Sequence, residues 1–227
     1  MDERIVIQDC GDSAVIVTAV EGDAERRWEV VHALATAIEE YDAVPTYDSL
    51  LVEFDCATTD HEAVRDIVRA AADRLPSAPV QRASRRFVVP VVYGGEHGPD
   101  LPLVAEQLGL TEREVVERHS GTPLTVRCLG APAGAPMMDG PPFPKPVPRL
   151  ASPRTNVPPG SVAVAGRQAV ISPMPSPGGW PLLGRTPLRV LDLDRLAPYR
   201  PGDRFQFVPI EPDQWDDHAG TLAAEHG

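Results

Sequence analysis

Hydrophobic and polar positions change period several times along the chain, and the changes mark its elements. Ile5-Val6-Ile7 is a short apolar run, and Gly11-Asp12 signals a turn before Ala14-Val15-Ile16-Val17, a β-branched second strand. Asp23 is placed to cap a helix over about residues 24–40, in which Trp28, Val31, Leu34, Ala35 and Ile38 recur at three- and four-residue spacing. Leu50 to Phe54 reads as a third strand. Thr59 with Glu62 forms a capping box for a second amphipathic helix marked by Val64, Ile67, Val68, Ala71 and Leu75. The order ββαβα suits a small sheet covered by helices on one face, close to a ferredoxin-like arrangement. No glycine-rich phosphate loop lies between a strand and a helix, which argues against a nucleotide site in this half.

The pattern changes after Pro76-Ser77-Ala78-Pro79, which reads as a linker. Phe87 to Tyr93 is a strand, and its Pro90 predicts an edge or bulged position. Two short helices follow. Asp100 caps the first, with Pro102 near its start, and Thr111 with Glu114 makes a capping box for the second. Leu124 to Leu129 is another strand. Ala131 to Pro159 contains ten prolines in 29 residues, which predicts a long loop free of helix and central strand. Short strands are expected at 161–165, 169–172, 188–192 and 204–208, separated by turn residues, and this favours a β-barrel or sandwich. The acidic, small and unpatterned stretch from Asp213 to Gly227 predicts a disordered tail. The expected class is therefore α+β, with an N-terminal α/β domain over 1–80, a barrel domain over 81–212 and a tail over 213–227.

Composition narrows the partners. The 227 residues hold 21 basic and 33 acidic side chains, for a formal net charge of −12. Such a surface repels nucleic acid phosphates and anionic lipid head groups, so neither is an expected partner. No apolar run approaches the roughly 20 residues of a membrane span, and the start MDERIVIQDCGD has no signal-peptide pattern. The expectation is a soluble, cytoplasmic protein. Cys10, Cys56 and Cys128 are far apart and odd in number, which favours buried structural thiols over a disulfide framework or a zinc site.

Four segments carry candidate chemistry. They are Tyr93-Gly94-Gly95-Glu96-His97-Gly98-Pro99-Asp100, Glu117-Arg118-His119-Ser120, Pro148-Arg149 with Pro153-Arg154 through Val162, and Ser176-Pro177-Gly178-Gly179-Trp180 leading to Gly184-Arg185-Thr186-Pro187. Arg149, Arg154 and Arg185 are candidate bidentate binders of a carboxylate, against the alternative of ordinary ion pairs. His119 reads as a catalytic base or pocket member, or else as a helix-end histidine bonded to backbone carbonyls. Trp180 is a candidate pocket wall or a packing residue. Gln168 offers a donor and an acceptor to a ligand amide, or stabilises a turn. His97 with Glu96 is too sparse a set for a metal, and none is expected. No Gly-x-Ser-x-Gly elbow supports a serine hydrolase.

Taken in order, these segments resemble the allophanate hydrolase subunit 1 group, the carboxyltransferase-domain subunit 1 family. Further support comes from Gly11-Asp12-Ser13-Ala14, Val44 to Val52, and Pro159-Gly160-Ser161-Val162, so the resemblance runs from about Gly11 to Ile210. The family includes the B subunit of the bacterial ATP-dependent 5-oxoprolinase and the sporulation kinase inhibitor KipI. The resemblance implies a cyclophilin-like β-barrel after the N-terminal domain. It also implies a homologous carboxyltransferase-domain subunit 2 as partner, ATP handled through that complex rather than by this chain, and a ligand bearing a carboxylate or amide. Hydrolysis of a cyclic amide such as 5-oxoproline is the implied reaction. Inhibition of a kinase, and a stand-alone enzyme of specialised metabolism with a reshaped pocket, are the alternatives.

The departures bear on that last alternative. Where the family usually has an aromatic-rich Phe-Ala-Pro-Gly-Phe-Pro-Tyr-Leu-Gly-Gly loop, this chain has Ala131-Pro132-Ala133-Gly134-Ala135-Pro136-Met137-Met138-Asp139-Gly140. The family's Gly-Gly-Gln-Thr-Gly turn is changed to Gly166-Arg167-Gln168-Ala169-Val170, with Gln168 kept. Small or flexible side chains in place of rings open space beside the pocket. Residues 131–148 are accordingly expected to form an extended or partly mobile loop.

Overall fold

The computed structural model describes residues 4–76, 83–130, 132–192 and 197–225. It divides into two compact units, Met1–Arg82 and Ala83–Gly227, each with its own apolar core.

The first unit contains β1 (Ile5–Asp9), β2 (Ala14–Ala19), α1 (Ala24–Ala37), β3 (Asp42–Pro45), β4 (Ser49–Glu53) and α2 (His61–Arg74). The four strands form one antiparallel sheet in the order β1-β2-β4-β3. Val15, Val17, Leu50 and Val52 point to the face where Val31 and Leu34 of α1 and Val64 and Val68 of α2 pack. Strand β3 is absent from the sequence reading because it is short and ends in Pro45. It lies at the sheet edge, where a missing N–H costs least. Asp23 caps α1 as expected, its carboxylate accepting from the Arg26 N–H. The cap of α2 is Asp60, which accepts from the Ala63 N–H, and not Thr59.

The second unit contains β5 (Arg86–Tyr93), α3 (Leu101–Leu108), α4 (Glu112–Ser120), β6 (Leu124–Gly130), β7 (Ala135–Asp139), β8 (Arg154–Val157), β9 (Ser161–Ala165), β10 (Gln168–Ile171), β11 (Ser176–Gly178), β12 (Leu182–Arg185), β13 (Leu188–Arg189), β14 (Arg204–Pro209) and β15 (Gly220–Thr221). Seven of these strands close into a barrel in the order β10-β7-β6-β14-β5-β12-β9. All of the barrel pairings are antiparallel except β14 with β5, which is parallel. Alternate residues fill the barrel: Phe87, Val89, Val91, Val126, Met138, Val162, Val164, Ile171, Leu183, Phe205 and Phe207 form one cluster with Leu101, Val104 and Leu108 of α3. The interior is occupied by side chains.

Three expectations are corrected here. Pro90 does not put β5 at an edge, because β5 is bonded on both sides. Its ladder to β12 covers only Val92 and Tyr93, so Pro90 lies beyond that ladder and takes no donor from it. The proline-rich stretch is not strand-free. Strand β7 is central in the barrel, paired with β6 and β10, and it contributes the buried Ala135 and Met138. The only proline within β7 is Pro136, and β8 contains none. Ala131 lies outside the described residues.

The third correction concerns the C-terminal stretch. Short 3-10 turns at Pro212–Gln214 and Asp216–His218 lead into β15, which pairs with β13. Leu222 enters the barrel core at 2% exposure, Ala224 bridges to Phe87, and the Glu225 N–H donates to the Arg86 carbonyl. Composition hides this because one leucine in an acidic background supplies the anchor. The thiol expectation is also revised, since Cys128 is buried but Cys56 is exposed and Cys10 half-buried. Among the described residues no helix is long and apolar enough to cross a membrane, and no cluster of side chains could hold a metal ion.

Candidate functional site

Strand β12 is the point around which the sequence motifs gather. The Gly94 N–H donates to the Leu183 carbonyl, and the Asp100 N–H donates to the Leu182 carbonyl, so the loop 94–100 is laid directly along this strand. A Cβ on Gly98 would fall 1.9 Å from the Leu183 oxygen, so only glycine permits the approach. From the other side, the Thr186 N–H donates to the Gly160 carbonyl, bringing in the Pro159-Gly160 turn.

Asp100 ties these pieces together. The sequence predicts it as a helix cap, and it occupies the N-cap position of α3, but its side chain makes no capping bond. The carboxylate is buried instead. Its Oδ2 accepts from the Leu182 N–H at 2.7 Å, and its Oδ1 accepts from Arg154 Nη2 at 2.7 Å. Arg154, on β8, is therefore engaged by an internal carboxylate, and its Nη1 is buried without a partner among the described residues.

Arg185, at the end of β12, donates from Nε to the Pro159 carbonyl at 2.9 Å. Its guanidinium lies 5.5 Å from the ring centre of Trp215, and the same indole stacks on His97 at 4.7 Å with the planes 19° apart. Sequence reasoning misses Trp215 altogether. The signal available was a lone aromatic within an acidic stretch.

Arg149 is exposed, with its guanidinium 5.9 Å from the centre of the Trp180 ring. Trp180 packs with Val157, Ala163, Val170 and Leu182 in a small cluster separate from the barrel core. Of the two roles expected of Trp180, the packing role is the one seen, with Arg149 over the indole. Gln168 opens β10, half-buried and paired with Ala165 and Asp139, and its amide makes no hydrogen bond among the described residues.

His119 sits in the last turn of α4 with no exposed surface. Its Nδ1 is 2.7 Å from the Tyr93 hydroxyl, its ring packs against Phe207, and its Nε2 has no partner among the described residues. Burial without a compensating charge pushes its pKa down to about 3 and raises that of Tyr93 above the ordinary phenol value. The imidazole is thus neutral at physiological pH and a weak base. It makes no helix-end bond to a backbone carbonyl among the described residues. It reaches the other motifs only through Tyr93, which is paired with Gly184 beside Arg185. Ser120 donates to the Val116 carbonyl, not to His119. The structure therefore brings Arg154, Arg185, His97 and Asp100 around β12, sets Arg149 and Trp180 together nearby, and keeps His119 inside the wall. Arg149 and Arg185 each lie over an indole ring, and a guanidinium can receive a carboxylate along its edge.

Comparison with known proteins agrees with the motif order. The family described as carboxyltransferase domain, subdomain C and D, matches residues 5–200. The chain is 35% identical over 229 residues to the B subunit of 5-oxoprolinase from Bacillus subtilis (strain 168), covering 92% of this chain and 95% of that protein. It is 35% identical over 205 residues to the B subunit of 5-oxoprolinase from Escherichia coli O157:H7, covering 88% and 93%. The crystal structure of TTHA0988 superposes with a TM-score of 0.72 at 33% identity, over 88% of this chain. This chain spans 40% of the length of that one. With a match that runs through both units, the chain belongs to the carboxyltransferase domain C and D family.

Proposed function

We propose that this protein is a component of a cytoplasmic lactam hydrolase, similar to the B subunit of 5-oxoprolinase, acting on 5-oxoproline with a homologous carboxyltransferase-domain subunit 2. The observation that carries the reading is near-full-length similarity, at 35% identity, to two proteins named as that component of 5-oxoprolinase. The side chains available are chemically compatible with it: 5-oxoproline carries a carboxylate and an amide, Arg149 and Arg185 are guanidinium groups outside any ion pair among the described residues, and the Gln168 amide makes no hydrogen bond among them. The neutral His119 acts through Tyr93 as a positioning residue of the wall. ATP is handled by the partner complex. The N-terminal unit is read as ferredoxin-like in permuted form, since ββαββα is a circular shift of βαββαβ, and the barrel as cyclophilin-like.

The test is a glutamate-release assay with 5-oxoproline and ATP, using this chain alone, the subunit 2 protein alone, and both together. Turnover only in the combined sample is the expected result. Turnover of a different amide by this chain alone would replace the reading with a stand-alone enzyme.

A further inference from the structure

The segment 211–219 has an unusual attachment. Both of its flanks are pinned: the Ile210 N–H donates to the Val91 carbonyl, and the Leu222 N–H donates to the Arg189 carbonyl. Between them every hydrogen bond among the described residues is local. Gln214 bonds to Glu211, Trp215 to Pro212, and Ala219 to Asp216. The Trp215 ring reaches the barrel wall, stacking on His97 and lying over Arg185.

Beneath that ring, Arg185 is pre-oriented. Its Nε is fixed to the Pro159 carbonyl, its Cζ lies 5.5 Å from the indole ring centre, and its two Nη groups make no hydrogen bond among the described residues. A guanidinium held at Nε with both Nη groups unbonded is set for a carboxylate that approaches along that Nη edge. The strap bears Glu211, Asp213, Asp216 and Asp217, all exposed to solvent.

We infer that residues 211–219 are a gate latched by Trp215, closing over a carboxylate-binding site formed by Arg185 beside His97. This rests on the lactam-hydrolase reading only for the identity of the acid, not for the gate. In the open state the indole leaves His97 and Arg185. In the closed state the carboxylate lies along the Nη edge, and the indole shields it from water, which strengthens the ion pair.

Hydrogen–deuterium exchange of the peptide spanning 211–219 tests this in the full chain, with 5-oxo-L-proline and malonate as separate probes. Ligand is expected to slow exchange there by about threefold or more in the native protein, and in Trp215→Phe, but not in Trp215→Ala, Arg185→Ala or Arg185→Lys. Thermal melting of each variant checks that the fold is kept, and Arg185→Lys preserves charge without the fork. Protection by malonate and not by 5-oxoproline upholds the gate and overturns 5-oxoproline as the acid. Absence of protection with either probe, or protection undiminished in Trp215→Ala, overturns the gate.

Discussion

The hydroxyl of Tyr93 and Nδ1 of His119 lie 2.7 Å apart, and this contact is the one polar link between the side chains of α4 and β5 among the described residues. Tyr93 faces Gly184 in the β5–β12 ladder, so the position of a helix-end imidazole is passed to the strand that carries Arg185. Phe207 of β14 packs against the imidazole ring, and Gln206 of the same strand donates to the Ser120 carbonyl at the end of α4. A polar pair in that setting fixes register and rotamer, because a lost partner leaves a buried polar atom unsatisfied, at about 1–3 kcal/mol.

The same pair predicts a pH dependence. His119 has a folded pKa of about 3 against an ordinary value of 6.5. The unfolded chain therefore binds more protons between these values, and stability is complete above pH 6.5 and falls as pH drops toward 3. The loss from this group between pH 6.5 and pH 5 is about 1.5 kcal/mol. Urea unfolding at both pH values should show that loss in the native protein. The difference should be smaller by about that amount in His119→Gln, even though the variant is less stable overall. An unchanged pH slope in the variant would mean that the imidazole titrates normally.

Much of this was legible in the chain, and what was not has identifiable causes. The helices at 24–37, 61–74, 101–108 and 112–120 follow from apolar period and caps, because such signals are local. The three arginines are placed by motif, but their partners are not. Arg154 meets Asp100 across 54 residues, and nothing in local sequence marks such a pairing. Asp100 is misread for the same reason: its spacing suits a cap, and a backbone N–H from β12 takes its oxygen instead. Strand β7 is hidden by proline content that falls mainly outside it. Trp215 is hidden by acidic neighbours that solvate the strap while the indole packs.

Asp100 should be the most sensitive polar residue of the site. Asp100→Ala leaves the Leu182 N–H and the Arg154 guanidinium without their shared acceptor. Breaking a largely buried pair from one side costs about 3–5 kcal/mol. Asp100→Asn keeps one carbonyl oxygen for Leu182 and should lose roughly half as much. Denaturant midpoints with constant slope would measure both. Equal losses in the two variants would show that the charge, not the acceptor geometry, is what β12 requires.

The approach of the 94–100 loop to β12 should depend on Gly98. An added methyl would meet the Leu183 carbonyl oxygen at 1.9 Å and the Gly94 nitrogen at 2.7 Å, so backbone must shift to admit it. Overpacking of that kind costs about 1–3 kcal/mol, and here it also displaces His97 from beneath Trp215. Gly98→Ala is expected to lower the melting temperature and to weaken carboxylate binding together. By contrast, Gly95→Ala meets no atom within 4 Å, though its φ of 53° strains any side chain, and should cost stability without displacing β12.

The C-terminal stretch separates anchor from latch, and truncation can tell the two apart. Leu222 lies in the barrel core at 2% exposure, and β15 and Glu225 bond to β13 and to Arg86. Trp215 touches the outer wall through His97 and Arg185. Burying a leucine contributes about 1.5–3 kcal/mol, and Leu222→Ala adds the cost of a cavity, for a total of about 2–5 kcal/mol. Removing residues 219–227 should cost at least as much. Trp215→Ala should cost less than about 1 kcal/mol, the range of an exposed ring–cation pair. Thermal unfolding of the three variants gives the order directly. A truncated chain as stable as the native one would make the tail the unstructured segment its composition suggests, and would leave Trp215 without a fixed end from which to close.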